Sequence, residues 1–398
     1  MTATATAPPT PALDPHDPLA IDSLLDDEER MIRDTVRRYV RERFLPTVAE
    51  HYEAGTFPDH VPADLGRLGL LGMHLEGYGC AGASATAYGL TCLELEAGDS
   101  GLRSFCSVQG SLAMFAIHRW GSEEQKRSWL PRLAAGEAIG CFGLTEPDAG
   151  SNPGGMRTRA RRDGDAWVLD GSKMWITNGS IADVAVVWAR TDDGAVNGFL
   201  VERGTPGFSA PAMHGKLSLR ASVTSELVLD GVRLSDAARL PGAETLRGPL
   251  ACLNEARYGV LWGAAGAARA CYEAALSYST EREQFGKPLA AFQLTQAKLA
   301  EMAVKVGQST LLALHLGRLK DGGRLTPQHV SFGKYHNVAA ALEVARSART
   351  VLGANGITLE YPVLRHANNL ESVLTYEGTH EMHTLVLGQA LTGVAAFA

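Results

Sequence analysis

Several features that would direct the interpretation of a chain are missing here, and each absence excludes a class of protein. No run of about 18 uninterrupted apolar residues occurs, so the sequence predicts no membrane-spanning helix. Acidic residues outnumber basic ones by 44 to 37, and the net charge of −7 argues against nucleic acid or an anionic membrane as a partner. The six cysteines include no Cys-x-x-Cys pair, which is typical of reduced, buried thiols rather than of a zinc site or a disulfide framework.

The N-terminal segment also lacks the marks of a targeting signal. Residues 1–17 are rich in Ala, Thr and Pro and contain neither the basic region nor the apolar core of a signal peptide. We therefore expect a disordered tail over residues 1–17 and a cytoplasmic protein. The full chain of 398 residues, 45% of them hydrophobic, is long enough for two or three domains.

The period of the apolar residues divides the rest of the chain into three blocks. Helical spacing runs from residue 18 to residue 140, as in Met31, Ile32 and Val36. From 141 to 249 the period changes to two, and Asp-Gly turns separate short apolar runs. Helical spacing returns over 250–398. The pattern predicts an α+β fold with an N-terminal helical domain, a central antiparallel β domain and a C-terminal helical domain, with these boundaries.

One carboxylate stands in unusual surroundings. Glu377 lies between Tyr376 and Gly378 and follows the apolar residues Val373 and Leu374. Burial would disfavour its ionised form and raise its pKa, which makes a carboxylate a stronger base towards a carbon-bound proton. The alternative is a residue at the start of a helix that serves a cap or the helix dipole.

Two motifs suggest ligands but fit other interpretations better. The segment 77–82 matches Gly-x-Gly-x-x-Gly, yet no βαβ unit surrounds it, so we interpret it as a turn that leads into a helix near Ala87. His380 and His383 enclose Glu381 and Met382, but this is not the His-Glu-x-x-His spacing of a zinc site, and no third ligand is evident. We therefore predict no metal.

Five segments together carry a resemblance to a known family. They occupy residues 141–151, 173–179, 282–288, 352–356 and 376–379. In this order they resemble motifs of the acyl-CoA dehydrogenases, and within that superfamily they are most similar to glutaryl-CoA dehydrogenases. The resemblance extends from residue 18 to residue 398. It implies an acyl-CoA dehydrogenase-like fold in which the two helical regions form one bundle, with a C-terminal four-helix-bundle domain and the β domain set against it.

The resemblance implies FAD as the cofactor, since removal of two hydrogens needs a hydride acceptor that amino acids do not offer. The loop over residues 142–151 carries donors suited to a flavin edge and a pyrophosphate. The cofactor contacts implied by the resemblance are Phe142, Leu144, Thr145, Gly150, Ser151, Trp175, Ile176, Thr177, Arg282, Phe285, Gln293, Leu352, Gly353, Thr379 and Phe397. Some of them serve a neighbouring subunit in the family, which implies a homotetramer.

Arg103 is the residue expected to discriminate among substrates. A guanidinium pairs with a carboxylate in bidentate fashion and could hold the free carboxylate of a substrate. The alternative is a structural ion pair with Glu96 or Asp99. The resemblance matches Arg103, Ser107 and Glu96 to the glutaryl pocket. Further acyl-CoA contacts implied in this way are Ser104, Ser151, Asn254 and Arg257.

The implied reaction is α,β-dehydrogenation of glutaryl-CoA with decarboxylation to crotonyl-CoA and CO2. Glu377 would remove the α-proton, Tyr376 would assist in catalysis, and the electrons would pass to an electron-transfer flavoprotein. One alternative is a dehydrogenase for another short-chain acyl-CoA or a carrier-protein-bound acyl thioester. A second is a DNA-associated flavoprotein of the same fold, against which the net charge of −7 argues.

Overall fold

A computed structural model of the protein describes residues 13–395. The N-terminal region consists of α-helices joined in two places by π-helical segments, Val40–Phe44 and Val108–Met114. Its helices are α1 (Asp27–Tyr39), α2 (Leu45–Ala54), α3 (Val61–Arg67), α4 (Ala85–Gly98), α5 (Ser100–Ser107), α6 (Phe115–Trp120) and α7 (Glu123–Ala134). Helix α1 begins with a capping box, in which the Asp26 side chain accepts a hydrogen bond from the Glu29 backbone and the Glu29 side chain accepts one from Asp26. The glycine-rich turn at 77–82 precedes α4, as predicted.

The central region is one seven-stranded sheet with a small separate hairpin further along the chain. Its strands are β1 (Gly140–Gly143), β2 (Arg159–Asp163), β3 (Ala166–Thr177), β4 (Val184–Thr191), β5 (Val196–Glu202), β6 (Phe208–Ser209) and β7 (Thr224–Ser235). The hydrogen-bonded order is β1-β4-β2-β3-β7-β6, and β5 pairs with β4. The hairpin comprises β8 (Glu283–Gln284) and β9 (Lys287–Pro288).

The prediction of an antiparallel domain needs a correction in this sheet. Strands β1 and β2 both pair with β4 in parallel, whereas the other pairings are antiparallel. Alternation of apolar and polar residues reports that a segment is a strand, but it carries no information on the direction of its neighbour. The central region is therefore a mixed sheet.

The C-terminal region is helical again and contains α8 (Arg247–Glu281), α9 (Gln293–Asp321), α10 (Pro327–Leu352), α11 (Val363–Thr375) and α12 (His380–Thr392). Helix α8 packs against α4 as well as against α9, α10 and α11. A Cβ added at Gly266 of α8 would lie 1.9 Å from the Leu93 carbonyl oxygen of α4, so only glycine permits this approach. The two helical regions therefore form one body, as the resemblance implied.

A buried ion cluster reinforces this union. The Oε1 atom of Glu94 in α4 accepts a hydrogen bond from Arg37 of α1 at 2.9 Å and another from Arg269 of α8 at 2.6 Å. Burial opposes ionisation of Glu94, but the two guanidinium groups outweigh it and lower the pKa of Glu94 to about 2. Glu94 thus stays charged at neutral pH and ties three helices together.

The β domain rests on the helices through the connection between β6 and β7. A Cβ at Gly101 of α5 would lie 2.1 Å from the Ala221 carbonyl oxygen, and the Leu219 backbone donates to the Asn369 side chain of α11 at 2.8 Å. The sheet is therefore fixed beside α5 and α11. Within residues 13–395, no helix is long and apolar enough to cross a membrane.

The predicted N-terminal tail is described only in part. Within its described part, the Pro15 carbonyl accepts a hydrogen bond from the Tyr272 hydroxyl at 2.9 Å. Residues 1–12 lie outside the described residues.

Candidate active site

Glu377 lies in the short connection between α11 and α12 rather than at a helix start. Its backbone is left-handed, with φ +56°, and Gly378 follows with φ +89°. Helix α12 is capped instead by Thr379, whose side chain accepts a hydrogen bond from the Met382 backbone at 3.2 Å. The cap interpretation of Glu377 is therefore wrong, because the Thr379 side chain, and not the Glu377 carboxylate, caps α12.

The surroundings of the Glu377 carboxylate are those expected of a general base. Its Oε2 atom is buried and has no hydrogen-bond partner among residues 13–395. Burial raises the pKa of Glu377, and the nearby cations Arg257, Lys334 and Arg103 only partly oppose this rise. A carboxylate of raised pKa binds a proton more strongly than one in water.

Arg257 of α8 supports the connection that carries Glu377. Its Nε atom donates to the Glu377 carbonyl at 2.7 Å, and Nη1 donates to the Asn254 side chain at 3.2 Å. Both were predicted as substrate-binding residues, and they lie together beside Glu377. Burial lowers the pKa of Arg257, but an arginine side chain is not deprotonated in proteins, so Arg257 remains a cation.

Arg103 of α5 is also near this connection and is 2% exposed. Its Nε atom donates to Glu96 Oε2 at 2.6 Å, and its Nη2 atom donates to the Tyr376 hydroxyl. The Ser104 hydroxyl is 3.4 Å from the same Tyr376 hydroxyl. Asp99, the other partner considered for Arg103, pairs instead with Arg365. The guanidinium thus links Glu96 to Tyr376, the residue that precedes Glu377.

Ser107 completes this group on α5. It is buried, and its hydroxyl has no hydrogen-bond partner among the described residues. A Cβ added at Gly259 of α8 would lie 3.2 Å from that hydroxyl, and one at Gly263 would lie 2.0 Å from Glu96 Oε2. Two glycines spaced by four residues therefore allow α8 to pass close to the polar side chains of α4 and α5.

A second group of predicted residues lies on the β domain. Trp175 is 59% exposed and has a left-handed backbone with φ +64°, at an irregularity in the pairing of β3 with β7. The Met174 backbone donates to the Thr145 carbonyl at 2.9 Å, which brings the loop after β1 against β3. Other predicted residues of this group are Phe142, Leu144 and Ile176, which are buried, Thr177, which is half-buried, and Gly150 and Ser151, which are exposed.

The segment 142–151 was interpreted as a loop, but its first two residues belong to a strand. Phe142 belongs to β1, and only the residues after Gly143 form the loop. Lys173 and Glu146 hold that loop through a buried ion pair of 2.7 Å. Glu146 also accepts hydrogen bonds from the backbones of Arg157 and Thr158, at 2.6 and 3.0 Å. The loop is therefore anchored at its centre by a side chain that the sequence analysis did not single out.

The third group of predicted residues is remote from Glu377 within one chain. Arg282 directly follows α8, 25 residues after Arg257, and a helix of that length extends about 37 Å. Arg282, Phe285 and Gln293 are exposed around the β8–β9 hairpin. Leu352 and Gly353 lie at the same end of the bundle, where Asn355 donates to the Tyr278 hydroxyl at 3.0 Å. Phe397 lies outside the described residues.

Lys334 is a site residue that the sequence analysis missed, together with Gly259 and Gly263. It lies on α10, and its ammonium donates to the carbonyl oxygens of Tyr376 and Gly378. A lysine in a helix is ordinarily interpreted as a solvated charge, and only the fold reveals its burial. The two glycines were detectable in principle, because glycine inside a helix is unfavourable and needs a packing reason.

The described residues contain no cluster of three or more His, Cys, Asp or Glu side chains that could hold a metal ion. His383 is buried and its Nδ1 atom is 3.0 Å from the Ser331 hydroxyl. The ring of His380 stacks on Tyr335 with a centroid distance of 4.1 Å. The two histidines therefore pack on α10.

A helical body with a β domain beside it, and a buried carboxylate in the helical body, match a class of enzyme that acts on activated acyl groups. The chain belongs to the acyl-CoA dehydrogenase family. Its N-terminal, middle and C-terminal domain models match residues 26–137, 141–232 and 247–392.

Individual relatives agree with this assignment. The chain is 34% identical over 372 residues to an acyl-CoA dehydrogenase of Bacillus subtilis, covering 92% of this chain and 98% of the relative. It is similar to a solved glutaryl-CoA dehydrogenase of Mycobacterium smegmatis in complex with FADH2, with a TM-score of 0.95, 63% identity, and 96% and 99% of the two chains covered. A second structure of glutaryl-CoA dehydrogenase from Mycobacterium smegmatis matches with a TM-score of 0.93 and 67% identity, over 95% and 98% of the chains.

Proposed function

We propose that this enzyme is a glutaryl-CoA dehydrogenase that oxidises its substrate with FAD and releases crotonyl-CoA and CO2. One observation carries the substrate assignment: the buried guanidinium of Arg103 lies next to Tyr376, the neighbour of the base. The identity of 63–67% to glutaryl-CoA dehydrogenases supports the same substrate.

The residues of the β domain fit a flavin. An exposed indole of the size of Trp175 is uncommon unless a ligand or partner covers it, and the adjoining loop offers hydroxyls and backbone donors at Thr145 and Ser151. We infer that Phe142, Leu144, Thr145, Gly150, Ser151, Trp175, Ile176, Thr177 and Thr379 hold the flavin portion. FAD, when bound, supplies the hydride acceptor that the protein lacks.

The chain's own side chains account for the proton movements. The Glu377 carboxylate removes a proton from the α-carbon, and Arg103 orients the distal carboxylate of the substrate. Loss of that carboxylate as CO2 leaves a carbon that needs a proton, and protonated Glu377 can return the one it took. Ser107, Ser104 and Tyr376 supply further polar groups beside Arg103, and Asn254 and Arg257 support the acyl-CoA chain.

The remote residues support a homotetramer with shared cofactor sites. Arg282 lies about 37 Å from Arg257 along α8, and Phe285, Gln293, Leu352 and Gly353 lie at the same end of the bundle, so these residues are suited to the cofactor of a neighbouring subunit. Large apolar side chains are exposed nearby, such as Phe285 at 91% and Leu294 at 77%. Exposed apolar residues of this kind mark association surfaces. We further propose that electrons leave to an electron-transfer flavoprotein.

Anaerobic titration with a panel of acyl-CoAs tests the proposed function. Glutaryl-CoA should bleach the flavin fastest and release one CO2 for each substrate oxidised, whereas butyryl-CoA should bleach it slowly without CO2. Rapid bleaching by butyryl-CoA, with none by glutaryl-CoA, would instead establish a short-chain acyl-CoA dehydrogenase.

A further inference from the structure

Three consecutive carbonyl groups around the base are each held by a buried cation. Lys334 of α10 donates to the carbonyls of Tyr376 and Gly378, the second at 2.5 Å, and Arg257 of α8 donates to the carbonyl of Glu377 at 2.7 Å. The two cations approach from different helices. The backbone of the base is therefore fixed from both sides, independently of its side chain.

The burial of Lys334 and the left-handed backbone of Glu377 are both energetically unfavourable, so each needs a compensating interaction. Lys334 is only 2% exposed, and burial of an ammonium group is unfavourable unless its donors are satisfied. Here the acceptors are backbone carbonyls, and no carboxylate within residues 13–395 is bonded to the ammonium. Glu377 adopts a left-handed backbone that non-glycine residues rarely keep unless the surroundings impose it.

We propose that Lys334 is a positioning residue for the base, because its two hydrogen bonds to the carbonyls on either side of Glu377 hold that residue in its left-handed conformation and direct its carboxylate at the substrate. This inference rests on the proposed function of Glu377. It assigns Lys334 no contact with the acyl group.

The charge of Lys334 has a second, measurable effect. The groups that face Glu377 are Arg257 from α8, Arg103 from α5, Lys334 from α10 and His383 from α12, with the Tyr376 hydroxyl linked to Arg103. Burial raises the pKa of Glu377, and the three cations oppose this rise. Burial lowers the pKa of Lys334 to about 7, so its charge is present at the lower pH where the acid limb lies. Removal of that charge raises the pKa of Glu377 further, and the acid limb of kcat/KM moves to higher pH.

The test compares Lys334→Met with Lys216→Met in the flavinated enzyme. Lys216 is a matched control, since its ammonium also donates to two backbone carbonyls, those of Leu219 and Ser222, in a connection without a candidate catalytic residue. We expect the rate of flavin reduction in Lys334→Met to fall by about tenfold or more, as misplacement of a reacting group does. The Kd of the acyl-CoA should change little, and the acid limb should move upward.

Lys334→Gln separates the two contributions, because its amide can donate to a carbonyl but carries no charge. It should show the shifted acid limb with a smaller loss of rate. Rates and pH profiles equal to those of Lys216→Met in both variants would overturn the proposal, as would failure of both to fold, which would make Lys334 a structural residue. A wild-type flavin that no acyl-CoA reduces would instead refute the proposed function itself.

Discussion

At the scale of the residue, the position of Glu377 in the chain determines its chemistry. The same side chain at a helix start would be solvated, whereas the connection between α11 and α12 buries its Oε2 atom without a partner. Burial raises the pKa of Glu377, so proton abstraction should weaken as the pH falls through this raised value. The cations Arg257, Lys334 and Arg103 oppose this rise in the pKa of Glu377.

The first prediction at this scale concerns Glu377→Gln. The amide has nearly the same shape but cannot accept the α-proton, so flavin reduction should slow by about 10²- to 10⁴-fold or more. Stopped-flow absorbance under anaerobic conditions measures the rate, and the flavin content and the Kd for acyl-CoA serve as controls. A variant that reduces its flavin at the wild-type rate would show that the base is another group.

The second prediction concerns Arg103 and must take account of Glu96. Replacement of Arg103 alone would leave Glu96, which is fully buried, without its partner, so destabilisation would obscure any effect on the substrate. Arg103→Leu is therefore combined with Glu96→Gln. The double variant should lose about 2–5 kcal/mol of transition-state stabilisation for glutaryl-CoA and little for butyryl-CoA.

The ratio of kcat/KM for the two substrates measures this effect, with Glu96→Gln alone as the control that keeps the guanidinium. Equal losses for both substrates in a flavinated protein would assign Arg103 a structural role. The enzyme would then be a short-chain acyl-CoA dehydrogenase without a carboxylate-binding residue at this position.

At the scale of the element, the sequence predicted well whatever depends on periodicity and poorly whatever depends on contact. The three blocks and the helix after residues 77–82 followed from apolar spacing and glycine. The parallel pairing of β1 and β2 with β4 did not, since strand direction leaves no local signature. Lys334 was missed for the same reason: its burial depends on how α10 lies against the connection after α11.

The prediction at this scale concerns the glycines of α8. Gly263→Ala would place a methyl group 2.0 Å from Glu96 Oε2, so either the ion pair with Arg103 or the helix must move. Overpacking of this kind costs about 1–3 kcal/mol, and a displaced Arg103 should raise the KM for glutaryl-CoA more than that for butyryl-CoA. Thermal unfolding and steady-state kinetics measure the two effects.

Gly388→Ala is the matched control, because this glycine lies in α12 and an added Cβ meets no atom within 4 Å. It should stabilise the protein by about 0.5–1 kcal/mol through helix propensity alone. If Gly263→Ala behaved in the same way, α8 would not pack on Glu96 as closely as described.

At the scale of the whole molecule, α8 runs from the proposed base to residues that we propose serve the cofactor of a neighbouring subunit. Its first half carries Arg257 beside the base, and its end leads to Arg282, about 37 Å away. In a closed symmetric assembly, a residue remote from its own site can complete the site of a partner. The exposed apolar side chains at that end of the bundle are where such a partner would pack.

The prediction at this scale is complementation between two defective chains. Glu377→Gln lacks the base, and Arg282→Ala should bind FAD weakly, so each alone should be nearly inactive at low FAD concentration. In a hybrid of the two, the subunit with an intact Glu377 would receive an intact Arg282 from its partner. Random pairing then restores about a quarter of the wild-type sites. Activity and FAD content of co-expressed, doubly tagged protein measure the recovery, and light scattering of the wild type should give a tetramer.

The reciprocal mixture is the control, in which the wild-type chain is paired with the double variant Glu377→Gln, Arg282→Ala. If Arg282 serves the partner, these hybrids contain no complete site, because the intact base faces the altered arginine. If Arg282 serves its own subunit, the outcomes exchange: the first hybrid stays inactive and the second keeps one working site. That exchange, or a monomer that holds FAD in full, would refute the shared site and assign Arg282 to the cofactor of its own subunit.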